Sequence, residues 1–149
     1  MTRPEVWAAA WLLTLGVTID LRAQPRTVWD GVYTDEQATR GESLYGEQCV
    51  KCHGVTLQGN GEGALPLTGA TFKSTWNGVS LGAMFDRVRL SMPQDKPASM
   101  TRQQVADLLA FILRANKFPA GTTELSRQTD LLNAIEFKSE KQELLIVAR

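Results

Sequence analysis

The chain has 149 residues, 43% of them hydrophobic, which suffices for one compact domain and hardly for two. Its 16 basic and 16 acidic residues cancel, so no global charge recommends a nucleic acid or a membrane surface as partner. Chemistry-bearing residues are scarce: two cysteines, Cys49 and Cys52, and one histidine, His53.

Residues 1–23 are expected to form a cleaved signal peptide. Arg3 supplies the positive charge, Val6 to Ile19 is an apolar run broken only by Thr14, Gly16 and Thr18, and Ala23 is a small residue at the cut. The run is shorter than the roughly 20 residues of a membrane helix and Asp20 closes it, so stable membrane insertion is not expected. An uncleaved anchor is the alternative. The expected address is the periplasm or its equivalent, reached by export.

Residues 24–33 form an irregular lead-in carrying Trp29 and Tyr33, and the main domain is expected over 34–121. Thr34 caps a first helix, Gln37 completes a capping box, and Ala38, Gly41, Leu44 and Tyr45 give it one apolar side. That helix runs into Cys49-Val50-Lys51-Cys52-His53. Five glycines between Gly54 and Gly69 mark a loop, since each one weakens regular structure. A second helix starts at Ser80, with Leu81, Met84, Phe85 and Val88 in its stripe; Pro93 and Pro97 hold the next stretch open. Thr101 and Gln104 form another capping box, and Val105, Leu108, Leu109 and Ile112 line the clearest helix, which Asn116 and Pro119-Ala120-Gly121 end. The tail, 122–149, is polar, with a weaker helical patch from Leu131 to Phe137. No segment alternates as a strand, so the class is all-α.

Cys-X-X-Cys-His is the spacing at which two thiols can each add to a vinyl group of one haem while the adjacent imidazole reaches the iron. Two cysteines three residues apart lie on one side of a helical turn. A thioredoxin-like motif would need a βαβ context, which is missing, and a zinc site would need a fourth ligand beyond these three side chains. One covalent haem c is therefore expected, on Cys49 and Cys52, with His53 on the iron.

Haem used for electron transfer is commonly held by His and Met, the thioether raising the potential. Of the four methionines, Met1 belongs to the signal segment and Met84 to the apolar stripe of the second helix. Met92 precedes Pro93 and can be presented from a loop. Met100 precedes the cap Thr101 and is expected to staple back on Val105 as a boundary side chain of little buried area. Met92 is the expected second ligand.

With these motifs in view, the chain resembles a class I, single-haem cytochrome c over about Thr27 to Phe137. It is most similar to the cytochromes and cytochrome domains that accompany quinoprotein dehydrogenases. Trp29 to Thr34, Arg40-Gly41 with Tyr45, Cys49 to Gly54, Met92-Pro93, Asp107 to Leu113, Phe118 to Gly121 and Glu124-Leu125 carry the resemblance. It implies three to five helices round one haem, with the first and last crossing so that Gly41 and Tyr45 face Leu108 and Phe111. It implies a Trp76 indole that reaches a haem propionate. In the family a proline carbonyl accepts from the ligand histidine, within Pro-X-Leu-X-Gly. Here matching Leu67 and Gly69 puts Leu65 in the proline's place and Pro66 one residue late; a backbone carbonyl needs no particular side chain, so Leu65 can still accept, and the sequence leaves open which carbonyl serves.

The expected function is single-electron transfer between periplasmic redox proteins, with a quinoprotein dehydrogenase as donor and an oxidase or another cytochrome as acceptor. No enzymatic activity of the chain's own is expected. The alternative is an open-site haem protein that binds ligands or acts as a peroxidase, with Met92 off the iron.

Overall fold

The computed structural model describes residues 26–60 and 63–142. The expected signal peptide at 1–23 lies outside the described residues, as does the tail beyond 142. In chain order the elements are β1 (Arg26–Thr27), α1 (Asp35–Gln48), α2 (Val50–His53), α3 (Gly69–Trp76), α4 (Leu81–Ser91), α5 (Arg102–Ala115), α6 (Thr129–Asn133) and β2 (Ile135–Glu136). The fold is all-α, as expected. α1, α3, α4 and α5 carry it, while α2 and α6 are four and five residues long. One pair of two-residue strands was not anticipated: β1 and β2 run parallel, Arg26 opposite Ile135 and Thr27 opposite Glu136.

α1 begins where its sequence says. Thr34 accepts from the Gln37 N–H at 3.2 Å, and Asp35 and Glu36 sit in the first turn, where the helix dipole favours acids. The rest of the expected capping box is not made. The Gln37 side chain is fully buried instead, donating to the Leu125 carbonyl at 3.1 Å and accepting from the Leu125 N–H at 2.6 Å. A buried amide satisfied on both sides outweighs a solvent-facing return bond to the cap. At α5 the box forms in full between Thr101 and Gln104.

α1 and α5 cross as the resemblance implied. A Cβ built on Gly41 would overlap the Asp107 carbonyl, so the two backbones touch there. Tyr45 meets Phe111 with ring centroids 5.2 Å apart. Beside the crossing, Arg40 grips Asp107 through two bonds of 3.0 Å and reaches Glu124 at 2.7 Å, while Gln103 donates to Asp107 at 2.8 Å. Those hydrogen bonds hold the Arg40 guanidinium firmly charged, its pKa raised above the ordinary value. Arg114 of α5 answers from the other side, to Glu42 at 2.6 Å.

Lead-in and tail are packed into the same core. Tyr33 donates from its hydroxyl to the Phe118 carbonyl at 2.6 Å, and Trp29 from its indole to the Lys138 carbonyl at 3.0 Å. Phe137 is fully buried, edge-on to Phe118 and to Phe72 of α3 at 5.1 and 5.8 Å. The backbone on both sides of it is fixed, Phe137 N–H to the Val79 carbonyl and Gly78 N–H to the Phe137 carbonyl, each at 2.8 Å. α3 exists largely because of this cluster. The side chain of its cap Thr68 makes no capping bond to the helix and Phe72 is its one buried residue, so tertiary packing rather than local pattern builds it.

Candidate haem site

The motif begins where α1 ends. Cys49 caps the C-terminal end of that helix, its N–H still bonded to the Tyr45 carbonyl at 2.9 Å, and α2 follows as a single turn. The Cys49 carbonyl accepts from the N–H groups of Cys52 and His53 at 3.1 and 2.9 Å. Both thiols and the imidazole are thus carried by one turn of backbone. Gly54 stops it with a φ of +73°, a region that side chains resist. The Tyr45 hydroxyl then donates to the Gly54 carbonyl at 2.5 Å, tying the exit of the motif back to α1. Burial, and after it the nearby Cys49, pushes the Tyr45 phenol up to about 12, so it remains a donor at any ordinary pH.

The two cysteines are unpaired, Cys49 half-buried and Cys52 exposed. Burial first, then Cys52, pushes the Cys49 thiol up to about 11. Cys-X-X-Cys sites that work as thiol redox centres do the opposite and depress a thiol to favour its thiolate. Among the described residues no group of three or more His, Cys, Asp or Glu side chains is arranged to hold a metal ion.

His53 is oriented by a carbonyl. Its Nδ1 lies 3.0 Å from the oxygen of Leu65, the residue in the place of the family's proline. A carbonyl only accepts, so Nδ1 carries the proton and Nε2 keeps its lone pair for another partner. The loop that delivers Leu65 is pinned from within: Gly59 N–H donates to the His53 carbonyl at 2.9 Å, and Leu67 N–H to the Leu57 carbonyl at 2.8 Å. Two apolar side chains close to His53 are exposed, Val55 at 80% and Leu65 at 69%.

Residues 36–112, just over half of the chain, match the family model described as cytochrome c oxidase, cbb3-type, subunit III. The chain belongs to this family of cytochrome c domains. Among curated proteins and solved structures, nothing matches it. A cytochrome c domain carries covalently bound c-type haem and serves haem-based electron transfer. The donor set of this one fits that group: two unpaired thiols and an imidazole on one turn, the ring's free nitrogen opposite a bonded one, and large apolar side chains beside it.

The methionines separate by burial. Met84 is 2% exposed in the core, and Met100 is 8% exposed. Met100 is therefore more deeply buried than a boundary side chain, because it lies under the start of α5 among core residues. Met92 is half-buried at the end of α4, its backbone extended (φ −122°, ψ 150°) and its N–H held by the Val88 carbonyl at 3.0 Å. Trp76 ends α3, half-buried, with its ring 6.4 Å from Phe72. No hydrogen bond or ring contact joins it to Cys49, Cys52 or His53 among the described residues, and its indole N–H donates to none of them. Sequence reasoning missed the part played by Asn116, which bonds the Leu67 carbonyl at 2.9 Å. An asparagine at a helix end carries no signal beyond helix termination.

Proposed function

We propose that this cytochrome c domain is an exported single-electron carrier, with haem c on Cys49 and Cys52 and the iron held by His53 and Met92. The observation that carries this reading is the Nδ1 contact of His53 with Leu65. It fixes the ring's rotation and tautomer and makes Nε2 more basic, which is what an axial ligand requires. The haem supplies one-electron chemistry at the iron; the chain's own residues set access and potential. Cys49 and Cys52 hold the group so that it cannot leave. Tyr45 and Gly54 fix the turn that carries His53. The half-buried Met92, on an extended backbone at the end of α4, is offered from a fixed stem rather than buried in a helix. Trp76 is proposed to donate its indole N–H to a haem propionate.

Electrons would come from a dehydrogenase, for which the resemblance favours a quinoprotein, and pass to an oxidase or another cytochrome. The chain would hold no substrate of its own. The apolar run of the segment at 1–23, with Arg3 ahead of it, supports export to the periplasm, and among the described residues no helix is long and apolar enough to cross a membrane. Carbon monoxide separates the carrier from an open-site haem protein. The ferrous protein is expected to keep its low-spin spectrum under saturating carbon monoxide at neutral pH. A ferrous spectrum converted rapidly and fully to the carbon monoxide form would replace the carrier with a ligand-binding or peroxidatic protein.

A further inference from the structure

The Leu65 carbonyl can act on His53 only while the backbone from 65 to 67 stays in place, and one buried side chain holds it there. Asn116, at the end of α5 and 3% exposed, donates from Nδ2 to the Leu67 carbonyl at 2.9 Å and to the Ile112 carbonyl at 2.9 Å. The amide has one orientation: turned over, it would aim its oxygen at two carbonyls. Its Oδ1 is buried without a partner among the described residues, a cost that a residue chosen only to end a helix would not carry.

Termination of α5 does not require this side chain. The Asn116 backbone N–H already bonds the Ile112 carbonyl at 3.1 Å, and the N–H groups of Lys117 and Phe118 close on the Arg114 and Leu113 carbonyls at 3.0 and 3.1 Å. What the side chain adds is the bond to Leu67. That residue's N–H is held by Leu57, so Leu67 is gripped on both sides, two residues from the carbonyl that faces Nδ1.

We propose that Asn116 is a positioning residue for the haem's histidine: by holding Leu67 it keeps the Leu65 carbonyl on His53 Nδ1. The inference rests on His53 as iron ligand. A well-held Nδ1–H bond makes Nε2 a stronger donor and favours ferric iron, so loosening it raises the reduction potential.

Asn116→Leu tests this at nearly constant volume. It removes the donor to Leu67 but also the unpaired Oδ1, and the Ile112 carbonyl keeps its backbone partner, so the two effects on stability oppose each other. The expected result is a folded haem protein with a raised midpoint potential. Solvent exchange of the His53 Nδ1 proton, followed by NMR, should be faster on the order of five- to tenfold, as loss of about one hydrogen bond's net stabilisation implies. Gln37→Leu, which cuts the two Leu125 bonds away from the motif, should destabilise the protein and leave both readouts alone. Asn116→Ala carries the same expectation should the leucine variant not accumulate. An unchanged or lowered potential with unchanged exchange overturns the proposal, as does an equal shift in Gln37→Leu or failure of both Asn116 variants to fold. If the parent's His53 ring signals lack the hyperfine shift of an iron ligand, the ligand assignment itself has failed, and the positioning role falls with it.

Discussion

Met92→Ala is expected to abolish the weak sulfur-to-ferric-iron charge-transfer band and to let the ferrous protein bind carbon monoxide readily. Electron transfer is fast when iron keeps both ligands in both oxidation states, and a thioether favours the ferrous form. Its loss should lower the midpoint potential by at least about 60 mV, the one-electron equivalent of a tenfold change in equilibrium. Met100→Ala is the control. Met100 is 8% exposed within the core, so truncating it should cost about 2–5 kcal/mol of stability and leave the charge-transfer band in place. The stability loss and the spectral loss thus fall on different methionines. If Met100→Ala removes the band and Met92→Ala keeps it, the ligand assignment is reversed.

Gly41→Ala should damage the protein severely, although it is the smallest enlargement available. The added methyl would overlap the Asp107 carbonyl and crowd the Leu108 nitrogen, both of them backbone atoms that no rotamer change can move aside. α1 and α5 would have to separate, loosening the Tyr45–Phe111 contact and the paired bonds from Arg40 to Asp107. Alanine's better helix propensity returns only about 1 kcal/mol. Overpacking at a close crossing costs about 1–3 kcal/mol and more where backbone must shift, so the steric term wins. A net loss of about 2 kcal/mol or more in urea unfolding of the haem protein is expected. A loss below about 0.5 kcal/mol, the range of an ordinary surface substitution, would mean that the helices do not approach as described. Because Cys49 caps the end of α1, the same crossing sets where the turn proposed to bear the haem begins.

The parts of the fold that were legible in the sequence are those with local chemistry. Thr34, Ser80 and Thr101 each stand one residue before a helix, and each accepts from the N–H three residues on. The stripe of α5 and the bare spot at Gly41 were legible too, since helical spacing and a missing side chain both survive into packing. α3 was not legible: it depends on Phe72 meeting Phe137, residues far apart in the chain. The β1–β2 pair escaped for a similar reason, since two residues on each strand give no alternation to detect. At the site, the Cys-X-X-Cys-His motif announces its own chemistry. What holds the motif in place does not, because Tyr45 to Gly54 and Asn116 to Leu67 are side chains bonded to backbone carbonyls, and a carbonyl has no letter in the sequence.

The most direct test of the account is the mass of the purified, exported protein under denaturing conditions, before and after acid-acetone extraction. Two thioether bonds at Cys49 and Cys52, as proposed, would survive unfolding, so the polypeptide should keep the mass of one haem through both treatments. In a Cys49→Ala, Cys52→Ala double variant the haem should be gone. A parent polypeptide that emerges from extraction at its bare mass, with the haem in the solvent, would contradict the covalent site on which the account rests.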